Sequence, residues 1–274
     1  MGKIGLITNA QVVTLQGPDD GVEDRSFCKH ESTVMAGSDM DIYVHCYHLD
    51  GSSSDITIPV VSWVAAAQPA RIGYVMTRGP SGSQYTYNFT GGTTVLSNPS
   101  TGFYSVQFNG MTGVTGTSAQ VTASGTSANR CQIENWSIGA STTVNIVCVT
   151  PNGSYANTDF NLIYTMGGMP HDGAGGALWS GDTSPGTHTP PAAYSFNSTG
   201  GTNQVLNDVD SLPTFPGLDL APHGGAAGVT QLSSYGSLGE FCNERIGFGA
   251  IEIHCFNSSG GLIYGRFTSA RLWY

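Results

Sequence analysis

Charged residues are scarce in this chain, and basic residues are the scarcest of them. Only 10% of its 274 residues are Asp, Glu, Lys or Arg, against roughly 25% in an average soluble domain. The nine Lys and Arg are scattered along the sequence, and the formal net charge is -10. Nucleic acids and anionic membrane surfaces both select proteins with clustered cations. We therefore expect neither of these partners.

Long apolar runs are also missing. No run approaches the ~18 residues that a membrane-spanning helix needs, so we expect no membrane insertion. The first ten residues, MGKIGLITNA, lack the apolar core and the cleavage site of a signal peptide. This predicts either a signal that was removed before this sequence begins or a protein that is not exported by that route.

The common motifs of hydrolysis, metal binding and redox chemistry are absent as well. The sequence contains no G-x-S-x-G elbow, no H-E-x-x-H zinc helix and no C-x-x-C pair. The glycine-rich stretches GAGG (173–176) and GFGA (247–250) lack the strand and helix that flank a phosphate loop. These absences favour a protein that is not an enzyme, and they predict no cofactor.

The cysteines, by contrast, are abundant and regularly placed. The sequences IYVHCYHLDG (42–51), VNIVCVTPNG (144–153) and IEIHCFNSSG (251–260) align without a gap around Cys46, Cys148 and Cys255. Apolar residues alternate before each cysteine, which is the pattern of a half-buried strand. A glycine follows each cysteine at the same distance and predicts a turn.

Other segments recur in register with these cysteines. NAQVVT (9–14) matches SAQVTA (118–123), and YNFTGG (87–92) matches FNSTGG (196–201). We therefore predict three repeats of about 100 residues, called here unit one (1–66), unit two (67–168) and unit three (169–274). Unit one lacks the front half of the repeat.

Short strands separated by turns fill each complete unit, and no amphipathic helix is evident. This pattern predicts an all-β fold of tandem antiparallel β-sandwich (Ig-like) units, two of them complete and one N-terminally incomplete. A barrel is the alternative architecture. In YNFTGG and FNSTGG, we expect Asn88 and Asn197 to serve in turns rather than as glycosylation acceptors.

The repeat selects one pairing among the many that six cysteines allow. We predict the disulfides Cys28–Cys46, Cys131–Cys148 and Cys242–Cys255. Each would close a loop of roughly 13–18 residues and contribute about 3 kcal/mol. Disulfides persist in oxidising compartments, so we expect an extracellular or cell-surface protein. Zinc is the competing interpretation, and the cysteine spacing does not fit it.

We predict no metal site, although two acidic segments offer oxygen ligands of the kind that calcium takes. The first is GPDDGVED (17–24) with Asp19, Asp20, Glu23 and Asp24, and the second is LNDVDSLP (206–213) with Asp208 and Asp210. Solvated acidic loops are the alternative for both. His45 and His254 share one repeat position, but unit two has Val147 there. A polar strand face therefore explains these histidines better than a repeated metal ligand.

Aromatic side chains are candidates for stacking on sugars. They are Trp63, Tyr85, Trp136, Trp179, Tyr194 and Trp273. Several of them recur with the repeat, which favours packing in the core or between units instead. A hydrolase site between units would require His171 or His188 to meet carboxylates in a cleft.

The order of these motifs resembles an uncharacterised group of exported bacterial proteins built from tandem units. The order is ALW, then YNFTGG or SFNSTGG, a VTAxG-like strand, Cys, Trp136, VxVxC, Gly and finally FxxxY. The resemblance covers unit two well, unit three less fully and unit one only in its back half. It implies a secreted β-rich repeat protein and supplies no catalytic residues.

We therefore expect a non-enzymatic structural or adhesive role. The incomplete unit one would expose a sheet edge that another chain fills by strand addition, which would give homo-oligomers or filaments. Residues that precede Met1 in a longer chain would be the other means of completing it. The alternatives are a carbohydrate-binding protein, with glycans as partners, and a hydrolase with its site between units.

Overall fold

The structure is a computed structural model that describes residues 11–13, 26–36, 39–54, 60–62, 71–78, 82–113, 115–167, 174–208, 210–218, 228–237, 239–247 and 250–273. Within these residues the regular structure is almost wholly β, with one short 3₁₀ helix, Ala192–Tyr194. The predicted all-β class is confirmed. None of the described residues form a helix that is long and apolar enough to cross a membrane.

The strands of unit one are β1 (Gln11–Val13), β2 (Ser26–Ala36), β3 (Asp39–His48) and β4 (Val60–Ser62). Those of unit two are β5 (Ile72–Thr77), β6 (Ser83–Asn88), β7 (Thr94–Ser100), β8 (Phe103–Asn109), β9 (Thr117–Ser124), β10 (Arg130–Ile138), β11 (Ser141–Val149) and β12 (Asp159–Met166). Those of unit three are β13 (Gly175–Ser180), β14 (Gly186–His188), β15 (Ser195–Asn197), β16 (Gln204–Asn207), β17 (Ser211–Thr214), β18 (Gly228–Ser234), β19 (Phe241–Gly247), β20 (Ala250–Phe256), β21 (Leu262–Ile263) and β22 (Phe267–Trp273).

Strands β5 to β12 pair in the order β9-β12-β5-β6 on one side and β10-β11-β8-β7 on the other. Strands of unit three pair in the same order, β18-β22-β13-β15 and β19-β20-β17-β16, with β14 added beside β16 and β21 beside β20. Pairing within both sets is antiparallel. The recurrence in the sequence thus corresponds to a recurrence in strand order.

Strands β2 and β3 extend a sheet of unit two rather than standing alone. A parallel bridge between His30 and Ser124 joins β2 to β9, which gives a six-stranded sheet in the order β3-β2-β9-β12-β5-β6. The Nδ1 atom of His30 lies 3.1 Å from Ser124 Oγ and 3.2 Å from Asn161 Nδ2. Strands β1 and β4 pair with each other.

Alternating side chains build the core of unit two, as strand geometry requires. Tyr104, Val106 and Phe108 of β8 are buried, and they belong to one cluster with Ile146 of β11 and Phe160 of β12. These strands come from both sheets, so the two sheets pack face to face. A second cluster fills unit three and includes Leu178, Val205, Phe215, Ile251, Ile253 and Phe267.

The glycines that follow the second cysteine of each pair do form turns. Gly51, Gly153 and Gly260 have φ values of 87°, 83° and 83°, a region that favours glycine. Each amide donates a hydrogen bond to the carbonyl three residues earlier. The turn prediction is therefore confirmed at all three positions.

The asparagines of YNFTGG and FNSTGG close turns in the same way. The Oδ1 atom of Asn88 accepts hydrogen bonds from the backbone amide and the hydroxyl of Thr90, at 3.1 and 2.7 Å. Asn197 and Thr199 repeat these contacts at 2.9 and 2.7 Å. Both asparagine side chains therefore serve within the scaffold, as the turn interpretation predicts.

Candidate functional site

Three disulfides tie neighbouring strands of the protein together. They are Cys28–Cys46 between β2 and β3, Cys131–Cys148 between β10 and β11, and Cys242–Cys255 between β19 and β20. In each pair the two cysteines lie directly opposite one another. The predicted connectivity is confirmed, and it favours an oxidising environment.

The residues that precede the first cysteine of each pair meet at one place, called here the three-unit junction. They are Phe27, Arg130 and Phe241. The guanidinium carbon of Arg130 lies 5.5 Å from the ring centre of Phe27 and 5.0 Å from that of Phe241. Burial lowers the pKa of Arg130 to about 10. Stacking on aromatic faces suits a guanidinium that is withdrawn from water.

Side-chain amides reinforce the three-unit junction. Gln132 Nε2 donates to the carbonyl of Gly236, and Asn243 Nδ2 donates to the carbonyl of Ser26 at 3.0 Å. A cavity of about 90 Å³ lies among residues of all three units, with Cys28, Cys131 and Cys242 in its wall. At this junction, strands that carry the disulfides thus contact one another across the units.

Unit three buries an ion pair at the wall of this cavity. The Nη1 atom of Arg271 lies 3.5 Å from Glu244 Oε1, and both side chains are almost fully enclosed. Burial raises the pKa of Glu244 to about 7, although Arg271 opposes the shift. The pair therefore serves the packing of β19 against β22 and offers no exposed acid or base.

Lys29 is a buried cation at the three-unit junction, and its removal provides a test of the packing there. Its side chain is 1% exposed, its Nζ finds no hydrogen-bond acceptor in the described part of the chain, and burial lowers its pKa to about 8. The native state therefore disfavours the charged form of Lys29. This destabilisation is present in full below pH 8. We expect Lys29→Met to raise the free energy of unfolding at pH 7 by up to about 3 kcal/mol.

The gain from Lys29→Met should shrink above pH 8 and vanish near pH 10.5, where Lys29 of the unfolded chain loses its proton. Urea unfolding at pH 7 and at pH 10.5 measures both values. An equal difference at the two pH values would show that the effect comes from side-chain shape rather than from charge.

A cluster of possible metal ligands lies on the surface of unit three. Asp210, Glu252 and His254 are all partly buried, and their ligand atoms lie within 4.8 Å of one another. The Nε2 atom of His254 is 3.4 Å from Asp210 Oδ1 and 3.7 Å from Glu252 Oε2. Asp210 and His254 are distant in the sequence, and only the pairing of Ser211 with Ile253 brings them together.

The other candidate metal ligands do not belong to this cluster. Asp19, Asp20, Glu23 and Asp24 lie outside the described residues. Asp208 takes part in the turn before β17, where its amide donates to the carbonyl of Asp210 at 2.9 Å. The repeat counterpart of His254, His45, lies 3.5 Å from Glu31 Oε2, so it faces one carboxylate rather than two.

Of the two histidines that are candidates for a hydrolase site, His188 does not line a cleft between units in the described part of the structure. His188 Nδ1 lies 3.0 Å from Asp182 Oδ2, and His188 Nε2 lies 2.7 Å from the carbonyl of Ser184. These are contacts between near neighbours in the sequence, on the surface of unit three. His171 lies outside the described residues.

Three of the six aromatic candidates for sugar binding pack against each other instead. The ring centres of Trp136 and Tyr194 are 5.1 Å apart, those of Trp179 and Tyr194 5.5 Å, and Tyr235 joins them 5.2 Å from Trp179. Tyr85 is 56% exposed. Trp63 and the side chain of Trp273 lie outside what the structure describes. This aromatic cluster connects unit two to unit three.

The side of β3 that faces away from β2 is called here the outer edge. In the complete units the counterpart strands are paired on both sides: β11 lies between β10 and β8, and β20 lies between β19 and β17. Among the described residues β3 pairs with β2 alone, apart from a bridge between Tyr47 and Ser53 at its end. Tyr43 of β3 is 49% exposed.

Comparison with models of protein families, with curated proteins and with solved structures finds no match to this chain. Three features of the described residues bear on function. They are the outer edge of β3, the disulfide-bonded strands that meet at the three-unit junction, and the cluster around His254.

Proposed function

We propose that this is an extracellular or cell-surface protein with a structural or adhesive role, and that the outer edge of β3 accepts a β-strand from another chain. The observation that carries the proposal is the contrast between β3 and its counterparts. Strands β11 and β20 each have two partners, and β3 has one among the described residues. Unpaired backbone amides and carbonyls along an edge are a template for strand addition.

The repeat indicates how an added strand would lie. In unit two, Tyr104 and Val106 of β8 pair with Ile146 and Val144 of β11. Counting back from the second cysteine, the matching positions of β3 are Val44 and Ile42. An acceptor strand at this edge would therefore take a peptide with the apolar alternation of β8.

Val44 supports this placement. It packs against Cys28 and Cys46 in a small cluster and is only half-buried. Its counterpart in unit two, Ile146, lies on a strand that pairs with β8 and is fully buried. A strand added beside β3 would remove apolar surface around Val44 from water, which stabilises the complex.

A peptide with the sequence of residues 102–110, GFYSVQFNG, provides the direct test. We expect it to bind the intact protein in a fluorescence anisotropy titration and to slow hydrogen exchange of the backbone amides in residues 40–44. The matched control is the same peptide with Val106→Pro, because proline removes a ladder donor and is excluded from central strands. Equal binding of both peptides, or no slowing at β3, would contradict the proposal.

Light scattering over a range of protein concentrations identifies the source of the strand. Dimers or filaments that form as the protein concentration rises, and that the peptide GFYSVQFNG dissociates, would show that a second copy supplies the strand.

Carbohydrate binding is the second candidate function, favoured by the exposure of Tyr85 and by that of Tyr155, which is 49% exposed. Binding on a glycan array that Tyr85→Ala removes would support this candidate instead.

A further inference from the structure

We infer that Asp210, Glu252 and His254 form a binding site for a divalent transition-metal ion of the Zn²⁺ type. The site lies in unit three, and the inference stands independently of strand addition at β3. It uses two side chains of β20 and one from the turn that leads into β17, which together present one nitrogen and two carboxylate groups.

Strand geometry places the three side chains on one face. Ile251, Ile253 and Cys255 of β20 are buried in the core of unit three, so Glu252 and His254 project from the opposite face. Ser211, the first residue of β17, pairs with Ile253, and Asp210 directly precedes Ser211 and contacts His254. Two ligands are thus placed by β20, and the third by the tight turn between β16 and β17.

The distances fit a small ion held between the ligands. Donor atoms bound at 2.0–2.2 Å to a tetrahedral zinc ion lie about 3.3–3.5 Å from each other. The Nε2 atom of His254 lies 3.4 Å from Asp210 Oδ1 and 3.7 Å from Glu252 Oε2. That nitrogen is enclosed and makes no hydrogen bond to any described residue. An ion between the three groups would satisfy it.

The ligand types decide which ion fits. Calcium and magnesium prefer sites made of oxygen alone, whereas imidazole nitrogen suits zinc and its neighbours in the first transition series. Two ionised carboxylates also balance the charge of a divalent cation when the imidazole is neutral. Three protein ligands leave a fourth position for water or for another molecule.

A protonated His254 between the two carboxylates is the competing explanation, because such an ion pair needs no metal. The two explanations differ in what happens when zinc is supplied. Protein freed of metal with a chelator is titrated with Zn²⁺ in competition with a chromophoric zinc indicator. We expect one equivalent to bind, and we expect Co²⁺ to give the visible absorption of a tetrahedral site.

His254→Gln and Asp210→Asn should each weaken zinc binding by about 100-fold or more, since loss of an outer partner of a ligand already costs roughly 10–100-fold. His45→Gln is the matched control, because His45 occupies the same repeat position beside a single carboxylate, Glu31. This control should bind zinc like the original protein. Both site variants should also lose the Co²⁺ absorption.

Two results would overturn the inference. The first is a protein that fails to take up zinc in the competition titration. The second is uptake that is unchanged in His254→Gln and Asp210→Asn, which would place the ion elsewhere. Thermal unfolding without metal shows whether each variant is folded, and Glu252→Gln replaces any variant that is not.

Discussion

Trp136→Ala is expected to lower the free energy of unfolding by about 3–5 kcal/mol, the usual cost of removing a large aromatic side chain from a core. Trp136 is 7% exposed and belongs to the core of unit two. It also contacts the rings of Trp179, Tyr194 and Tyr235 in edge-to-face geometry. Such ring pairs add to the free energy gained from burial alone.

The indole nitrogen adds a polar contribution to the same site. Trp136 Nε1 donates a hydrogen bond to Thr117 Oγ1 at 3.1 Å, and both groups are buried. Alanine would leave the hydroxyl of Thr117 without this donor and would open a cavity between the units. We therefore expect unfolding of Trp136→Ala to become less cooperative, with the transitions of unit two and unit three separating in urea.

Tyr85→Ala is the matched control, since Tyr85 is an exposed aromatic residue of the same unit. Exposed substitutions usually change the free energy of unfolding by less than about 0.5 kcal/mol. A loss below about 1 kcal/mol for Trp136→Ala, or a transition as cooperative as that of the original chain, would contradict the packing role. Either outcome would revive the view of Trp136 as a ligand-binding ring.

Local patterns in the sequence were sufficient to predict the strands and the disulfides. Alternation in FYSVQFN predicts a strand with one buried face, and Tyr104, Val106 and Phe108 are indeed buried. The gapless alignment around Cys46, Cys148 and Cys255 selects the correct cysteine pairing. It does so because each repeat contains the same pair of neighbouring strands with one cysteine on each. These features depend on residues that are near in sequence.

The contacts between units could not be predicted in this way. Phe27, Arg130 and Phe241 each precede the first cysteine of a pair, so their equivalence is visible in the sequence. Their stacking around one guanidinium is not, because it depends on how three repeats pack together. The parallel bridge from His30 to Ser124 is likewise a contact between distant segments.

The cluster around His254 failed to emerge from the sequence for a related reason. The sequence pattern predicts that His254 lies on a polar strand face and that Asp210 belongs with Asp208 to an acidic segment. Asp210 comes beside His254 only because the next residue, Ser211, pairs with Ile253, and register is a property of the pairing rather than of either strand. The prediction of no metal site thus depends only on the residues that are near each candidate ligand in the sequence.

Removing the disulfide of unit two is the second change with a large expected effect. We expect Cys131→Ala with Cys148→Ala to lower the free energy of unfolding by about 3 kcal/mol through the loop that the bond closes in the unfolded chain. Cys148 is fully enclosed and belongs to the core of unit two. The lost sulfur contacts therefore add a packing cost to the entropic one.

The disulfide of unit one separates these two contributions. Cys28 and Cys46 are 18 apart in sequence and Cys131 and Cys148 are 17 apart, so the chain-entropy cost of losing either bond is nearly the same. Cys28 and Cys46 pack in a small cluster with Val44, away from the large core. Urea unfolding should therefore show a greater loss for the unit two pair than for Cys28→Ala with Cys46→Ala. An equal loss would mean that chain entropy accounts for both bonds. A greater loss in unit one would show that β2 and β3 depend on their disulfide because, among the described residues, β3 has no counterpart of β8 beside it.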